Sequence, residues 1–270
     1  MLPSSPSELI LTAEEQATAL AAYQQEKWYE LHLAQQQHKT IATLPIASSV
    51  TAADLYQQKV REAYHRIPNF HLTDSVKSVL KLLCLYFTCD PRFEVKGQHE
   101  LGIPYSLNKG LLLFGPIGCG KTSLMRLFQN NPRQPYWVQT ANQMSKRFSE
   151  QGYEGITLYM TDNISNRHRD GKVGVCFDDL GTEPTVVKYF GNEANVMVDI
   201  LLARYDKFQR GMLPGAMTHL TTNLPTTSTL QSDGTVPLSL EQCYGNRVRS
   251  RMRELFNPIY FSSDSTDMRR

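Results

Sequence analysis

Eight consecutive residues, Gly115-Pro116-Ile117-Gly118-Cys119-Gly120-Lys121-Thr122, fill the pattern G-x-x-x-x-G-K-[ST] completely. Glycines at these positions permit backbone angles that turn several N–H groups inward. A helix opening at Lys121 would add the positive end of its dipole, so the turn is built to cradle phosphate oxygens. The Lys121 ammonium can reach β- and γ-phosphates, and the Thr122 hydroxyl is placed to ligate magnesium, with Ser123 following in the same first turn. Cys119 occupies a variable position of the pattern.

A second candidate lies downstream in Val173-Gly174-Val175-Cys176-Phe177-Asp178-Asp179, an apolar run that ends in two carboxylates. Open parallel sheets hold their ligands at the carboxyl ends of strands. Asp178 is therefore the expected magnesium acid, acting through water, and Asp179 the group that would orient or polarise an attacking water. Glu183, a few residues on, is the reserve for that second role. The run Thr218-His219-Leu220-Thr221-Thr222-Asn223 ends in a polar residue that would sit near the γ-phosphate.

These groups need a scaffold, and the pattern of the chain supplies one. The 270 residues are 41% hydrophobic and 20% charged, values of a folded globular protein, with a net charge of +2 that does not by itself advertise nucleic-acid binding. No run of about 18 apolar residues and no signal-peptide start are present, so a cytoplasmic protein without a membrane span is expected. Five cysteines without a C-x-x-C pair argue against a disulfide framework or a zinc site. The first part reads as helices: a long one from about Pro6 to Lys39, a second from about Ala52 to Arg66 stopped by Ile67-Pro68, and a third capped by Thr73 or Asp74. Beyond Leu107 short apolar runs alternate with amphipathic segments, which predicts a parallel sheet with crossover helices. The expected strands are Gly110 to Phe114, Tyr136 to Thr140, Val173 to Phe177, His219 to Thr222 and Ile259 to Ser262.

Taken in order, GPIGCGKT, VCFDDLGTE, ARYDKF, TTNLP and GNRVRSRMR resemble the AAA+ ATPases of the DnaC and DnaI helicase-loader type, with IstB-type transposition ATPases as close kin. The resemblance spans approximately Leu107 to Phe261. It implies a three-layer α/β P-loop core with a five-stranded parallel sheet over residues 107–270. A helical adaptor region over residues 1–106 would precede it, and no lid domain would follow. It also implies ATP and Mg2+ as ligands, Asp178 as the Walker B acid and Asn223 as sensor 1. An arginine finger would be donated to a neighbouring subunit, Arg251 first and Arg247 second, in a homo-oligomer with nucleotide at its interfaces. Arg247 and Arg251 share one helix face, Arg249 and Arg253 another, and a plain surface helix would show the same spacing.

Relatives of this type carry an extra helix between the second and third strands that lines a DNA channel. Lys146, Arg147, Phe148 and Tyr153, with Tyr159, supply the charge and aromatic faces for such contact with single- or double-stranded DNA. Phe148 and Tyr159 serve equally well as core residues, and the basic cluster Arg167-His168-Arg169 with Lys172 is a further candidate. Trp28, Tyr29, Leu31 and Leu33 form either a partner-binding stripe or a packed face. The implied partner is a replicative helicase or a transposase. Two other classes stay open: a nucleotide kinase whose lid arginines are residues 247–253, and an ATP switch that does not hydrolyse, suggested by Asp179 where Glu is usual.

Overall fold

The computed structural model describes Thr12, Leu20, Ala21, Gln24 and residues 50–101, 104–161, 173–226 and 238–262. The chain divides into two compact units, Met1–Thr43 and Leu44–Arg270. In the first, Leu20, Ala21 and Gln24 are helical, and the remainder of the helix expected over 6–39, including the stripe at Trp28, falls outside the described residues.

Three helices open the second unit: α1 (Ala52–Arg66), α2 (Asp74–Phe87) and α3 (Arg92–Leu101). Thr51 caps α1 in a capping box with Asp54, and Thr73 caps α2 by accepting from the Val76 amide at 3.3 Å. Helix α1 stops at Ile67, whose extended backbone is the conformation a following proline imposes. Helix α3 lies in a stretch that the sequence pattern marks only as loop.

The remaining elements alternate as expected: β1 (Gly110–Phe114), α4 (Lys121–Leu127), β2 (Tyr136–Thr140), α5 (Ala141–Gln151), α6 (Tyr153–Met160), β3 (Gly174–Leu180), β4 (Val187–Tyr189), β5 (Asn192–Ala194), α7 (Val196–Gln209), β6 (Thr218–Thr222), α8 (Leu240–Leu255) and β7 (Phe256–Tyr260). Five strands form one sheet in the order β2-β3-β6-β1-β7, all parallel. The last strand begins three residues before the expected Ile259, because α8 runs directly into it at Phe256. The hairpin β4–β5 was not legible in the sequence; it turns on Phe190 and Gly191, both with positive φ.

Strand alternation makes three layers. Leu111 and Leu113 of β1 face one way, into a core shared with α1, α2 and α4. Leu112 and Phe114 face the other, into a core shared with α5, α7 and α8. Polar ties reinforce the first layer. Buried Lys59 of α1 donates to the Leu127 carbonyl at the end of α4 at 2.6 Å and to Glu62 at 2.8 Å. Arg133 donates to the carbonyls of Tyr86 and Leu107 while its guanidinium lies 4.3 Å from the Tyr86 ring. Helix α1 is thereby fastened against the helix that follows the glycine turn, and α2 against the segment between that helix and β2. Among the described residues no helix is long and apolar enough to cross a membrane.

Candidate functional site

The glycine turn leaves β1 at Phe114 and enters α4 at Lys121. Gly118 and Gly120 have φ of 83° and 97°, the left-handed region that favours glycine. Gly115 answers a different need, close approach: a Cβ there would lie 2.7 Å from the Phe261 Cβ and 2.9 Å from the Cys119 Sγ. Cys119 is thus buried inside the turn, and burial pushes its thiol above the usual range. The ammonium of Lys121 donates to the carbonyls of Gly115 and Pro116, both at 2.8 Å, and to Asn223 Oδ1 at 2.6 Å. Burial lowers the Lys121 pKa, and nearby Cys119, Asp179 and Asp178 partly offset that. Asn223, one residue past β6, therefore meets the lysine directly.

The acid-ended strand lies two strands from β1, with β6 between. Thr122 Oγ1 donates to Asp178 Oδ1 at 3.0 Å, so the first helical turn and the tip of β3 meet at one carboxylate oxygen. Asp178 is almost fully buried, and desolvation, with Asp179 adding like charge, raises its pKa against the hydrogen bonds from Thr221 and Thr122. Asp179 has a φ of 56° and lines the cavity beside the glycine turn. Glu183 is placed otherwise. Its carboxylate accepts from the Gly181 amide at 2.8 Å and from the Tyr244 hydroxyl, and it does not line that cavity.

The cavity measures about 450 Å³. One wall is the glycine turn and the start of α4 from Ile117 to Ser123, a second is Asp179, Thr182 and Asn223, and a third is Ile67-Pro68-Asn69, the link between α1 and α2. That third wall escaped the sequence reading, where Ile-Pro signals only a helix stop. No local signal could have assigned it, because its position depends on how α1 docks on α4.

The arginine segment sits away from this cavity. Helix α8 is kinked at Gly245, with φ 78° and ψ 161°. Arg249 pairs with Glu241, and Arg251 lies over the Tyr205 ring at 4.8 Å with Asp206 at 3.8 Å. Arg247 and Arg253 are exposed. Arg204, in the ARYDKF segment, is fully buried. It donates to Thr218 Oγ1 and to the carbonyls of Tyr159, Thr161 and Met217 at 2.7–3.0 Å. It is a strut joining α7 to β6 and to the end of α6.

The four residues expected to face DNA divide. Lys146 is exposed, 3.8 Å from Glu150, and exposed Arg147 lies 5.4 Å from the Tyr159 ring. Tyr153 is half exposed with its hydroxyl donating to Asp199 at 2.8 Å. Phe148 is buried against Tyr153 and Tyr189, so of the two readings open for it the structure selects the core, as it does for Tyr159. A further aromatic side chain faces solvent here: Phe190, 91% exposed at the hairpin tip. The basic cluster at 167–172 lies outside the described residues.

Parallel sheet, glycine turn and an acid-ended strand one strand removed together form the architecture of P-loop nucleotide-binding proteins, of the kind found in AAA+ cores. No protein-family model and no curated protein matches the chain. Among solved structures it is similar to the crystal structure of the DnaC helicase loader, at 16% identity over 74% of this chain and 99% of that one, with a TM-score of 0.44. It is also similar to the crystal structure of DnaI, at 19% identity over 74% of this chain and 90% of that one, with a TM-score of 0.39. Likeness at this level assigns no residue.

Proposed function

We propose that the chain is a magnesium-dependent ATPase that couples its cycle to remodelling a DNA-bound complex, with loading of a replicative helicase as the leading task. The observation that carries the catalytic half is the meeting of Thr122 and Asp178 at 3.0 Å beside the buried Lys121. Magnesium is typically held by one or two carboxylates, water and substrate phosphates rather than by an all-protein cage. A lone hydroxyl–carboxylate pair at the mouth of a phosphate cradle fits that donor set. The Thr122 proton is committed to Asp178, which leaves the hydroxyl's lone pairs for the metal. Magnesium, when bound, would offset charge on the β- and γ-phosphates as a Lewis acid.

The other groups take their roles from position. Lys121 exchanges its carbonyl partners and Asn223 for phosphate oxygens, a trade of neutral for charge-assisted hydrogen bonds. Asp179 lines the cavity and orients the attacking water, with Asn223 beside it. Glu183 is the weaker candidate because its carboxylate already closes the loop through Gly181 and Tyr244. Arg251, or Arg247, reaches the nucleotide of a neighbouring copy in a homo-oligomer. What supports this reading is that no arginine of α8 lines the cavity of its own chain. Residues 1–106 would dock the partner, a helicase or alternatively a transposase, and Lys146, Arg147 and Tyr153 would touch DNA.

Two variants and their mixture test the proposal. Lys121→Ala should lose nucleotide binding, and Arg251→Ala should bind ATP yet release no phosphate. Combined, they should regain turnover, because one variant supplies the arginine and the other an intact cavity. Tight ATP binding by Lys121→Ala would refute the site. Failure of the mixture to recover turnover would refute the role of Arg251 in a neighbour's site, and ATP-dependent phosphorylation of a nucleotide would turn the reading to a kinase.

A further inference from the structure

One hydroxyl lies between the two acids. The β3–β6 register runs from Phe177 opposite Leu220 to Leu180 opposite Thr222. Strand β3 therefore carries one more residue than β6 over that interval, and Asp178 and Asp179 together oppose Thr221, the arrangement of a β-bulge. Thr221 Oγ1 donates to Asp178 Oδ1 at 2.6 Å and accepts from the Asp179 amide at 3.0 Å. A hydroxyl has one proton and two lone pairs, so its proton and one lone pair are both spent on this bulge. On the far side, Thr222 Oγ1 donates to the Leu180 carbonyl at 2.7 Å and closes it.

Two consequences follow from that geometry. Asp178 receives hydrogen bonds from Thr122 and Thr221 on the same oxygen, which fixes its rotamer and leaves Oδ2 outside these contacts. Asp179 sits at a φ of 56°, which L-residues other than glycine, asparagine and aspartate rarely adopt, and its amide is anchored there by Thr221. Thr221 itself is buried and does not line the cavity.

We infer that Thr221 is a positioning residue for both acids: its hydroxyl holds Asp178 against Thr122 and holds the bulge that turns Asp179 to the cavity. This rests on the ATPase reading above. Bulges next to active sites re-aim side chains in this way, and removing the hydroxyl leaves a buried amide and a carboxylate oxygen each short of a partner.

Thr221→Val keeps the volume and the β-branch and removes only the hydroxyl. In the full chain it should lower kcat for ATP hydrolysis by about 10- to 100-fold, the loss expected for hydrogen bonds to a charged group. Binding of ATP without metal, which depends on the glycine turn and Lys121, should stay unchanged. Mn2+ affinity for the complex with a non-hydrolysable ATP analogue should fall, and Thr221→Ser should restore both metal affinity and turnover. Should the valine variant fail to fold, serine and alanine at 221 shed the same methyl group, so their difference isolates the hydroxyl. A valine or alanine variant that keeps wild-type turnover and Mn2+ affinity overturns the role, and so does a serine variant that falls as far as valine or alanine. Wild-type protein without magnesium-dependent turnover overturns the ATPase reading and this one together, whereas active wild type beside an unaffected valine variant overturns Thr221 alone.

Discussion

Replacing Arg204 by methionine tests how much of the scaffold hangs on one buried guanidinium. The side chain donates to the Thr218 hydroxyl at 2.8 Å and to the carbonyls of Tyr159, Thr161 and Met217 at 2.9, 3.0 and 2.7 Å. Methionine fills similar space and satisfies none of them. Each bond to a charged group contributes about 1.5–3 kcal/mol, but losing the guanidinium also removes its own desolvation cost. Neutral acceptors left buried without a donor cost about 1–3 kcal/mol each, so after that offset the net loss should be about 3–5 kcal/mol. At about 2–4 °C per kcal/mol for a domain of this size, the melting temperature should drop by roughly 6–20 °C. Differential scanning fluorimetry of the full chain measures it, with Thr218→Val, which removes one of these bonds, falling in between. A drop under about 2 °C for Arg204→Met would show that the carbonyls find other partners and that the strut argument is wrong.

Asp178→Asn should separate stability from turnover. The carboxylate is buried beside Asp179, and asparagine keeps the oxygen that accepts from Thr122 and Thr221 while removing the charge. Without magnesium the variant should melt higher, by about 0.5–2 kcal/mol of added stability, and should hydrolyse no ATP; a lower melting temperature would contradict the burial argument. His219 should make the fold sensitive to acid. Burial and the positive charges of Arg133 and Arg204 lower its pKa from 6.5 to about 3. Between those values the unfolded chain binds a proton that the folded one refuses, so stability is lost as pH falls from 6.5 toward 3. His219→Asn offers an oxygen to the Leu111 amide that Nδ1 now accepts from at 3.1 Å, and has no proton to gain. Urea unfolding across that window should show a slope shallower by about 1.4 kcal/mol per pH unit, and an unchanged slope would refute the assignment.

The glycine turn, the acid-ended strand and the alternation of strands with helices were legible in the chain because each shows as a local pattern. Glycines at 118 and 120 answer to backbone angles within the turn itself, while Gly115 makes room both for Cys119 of the turn and for distant Phe261. Short apolar runs and the cap at Thr73 are equally short-range, and they mark the strands and the start of α2. Asp178 could be named as a candidate before its contacts were known, since open parallel sheets hold their ligands at the carboxyl ends of strands.

Other features depend on residues far apart in the chain, and the tertiary fold decided them. Whether Asp179 or Glu183 faces the cavity turns on a bulge pinned by Thr221 and on Tyr244 reaching back to Glu183 across 61 positions. Phe148 and Phe190 are the same residue type, yet one lies under a hairpin and the other on its tip, because burial follows from what packs over a side chain. Arg204 carries no sign of burial in ARYDKF, and its partners at 159, 161, 217 and 218 are brought around it only by the fold. Backbone angles are set by neighbours a few residues away, whereas partners for buried polar atoms come from wherever the chain returns, and only the folded structure says where that is.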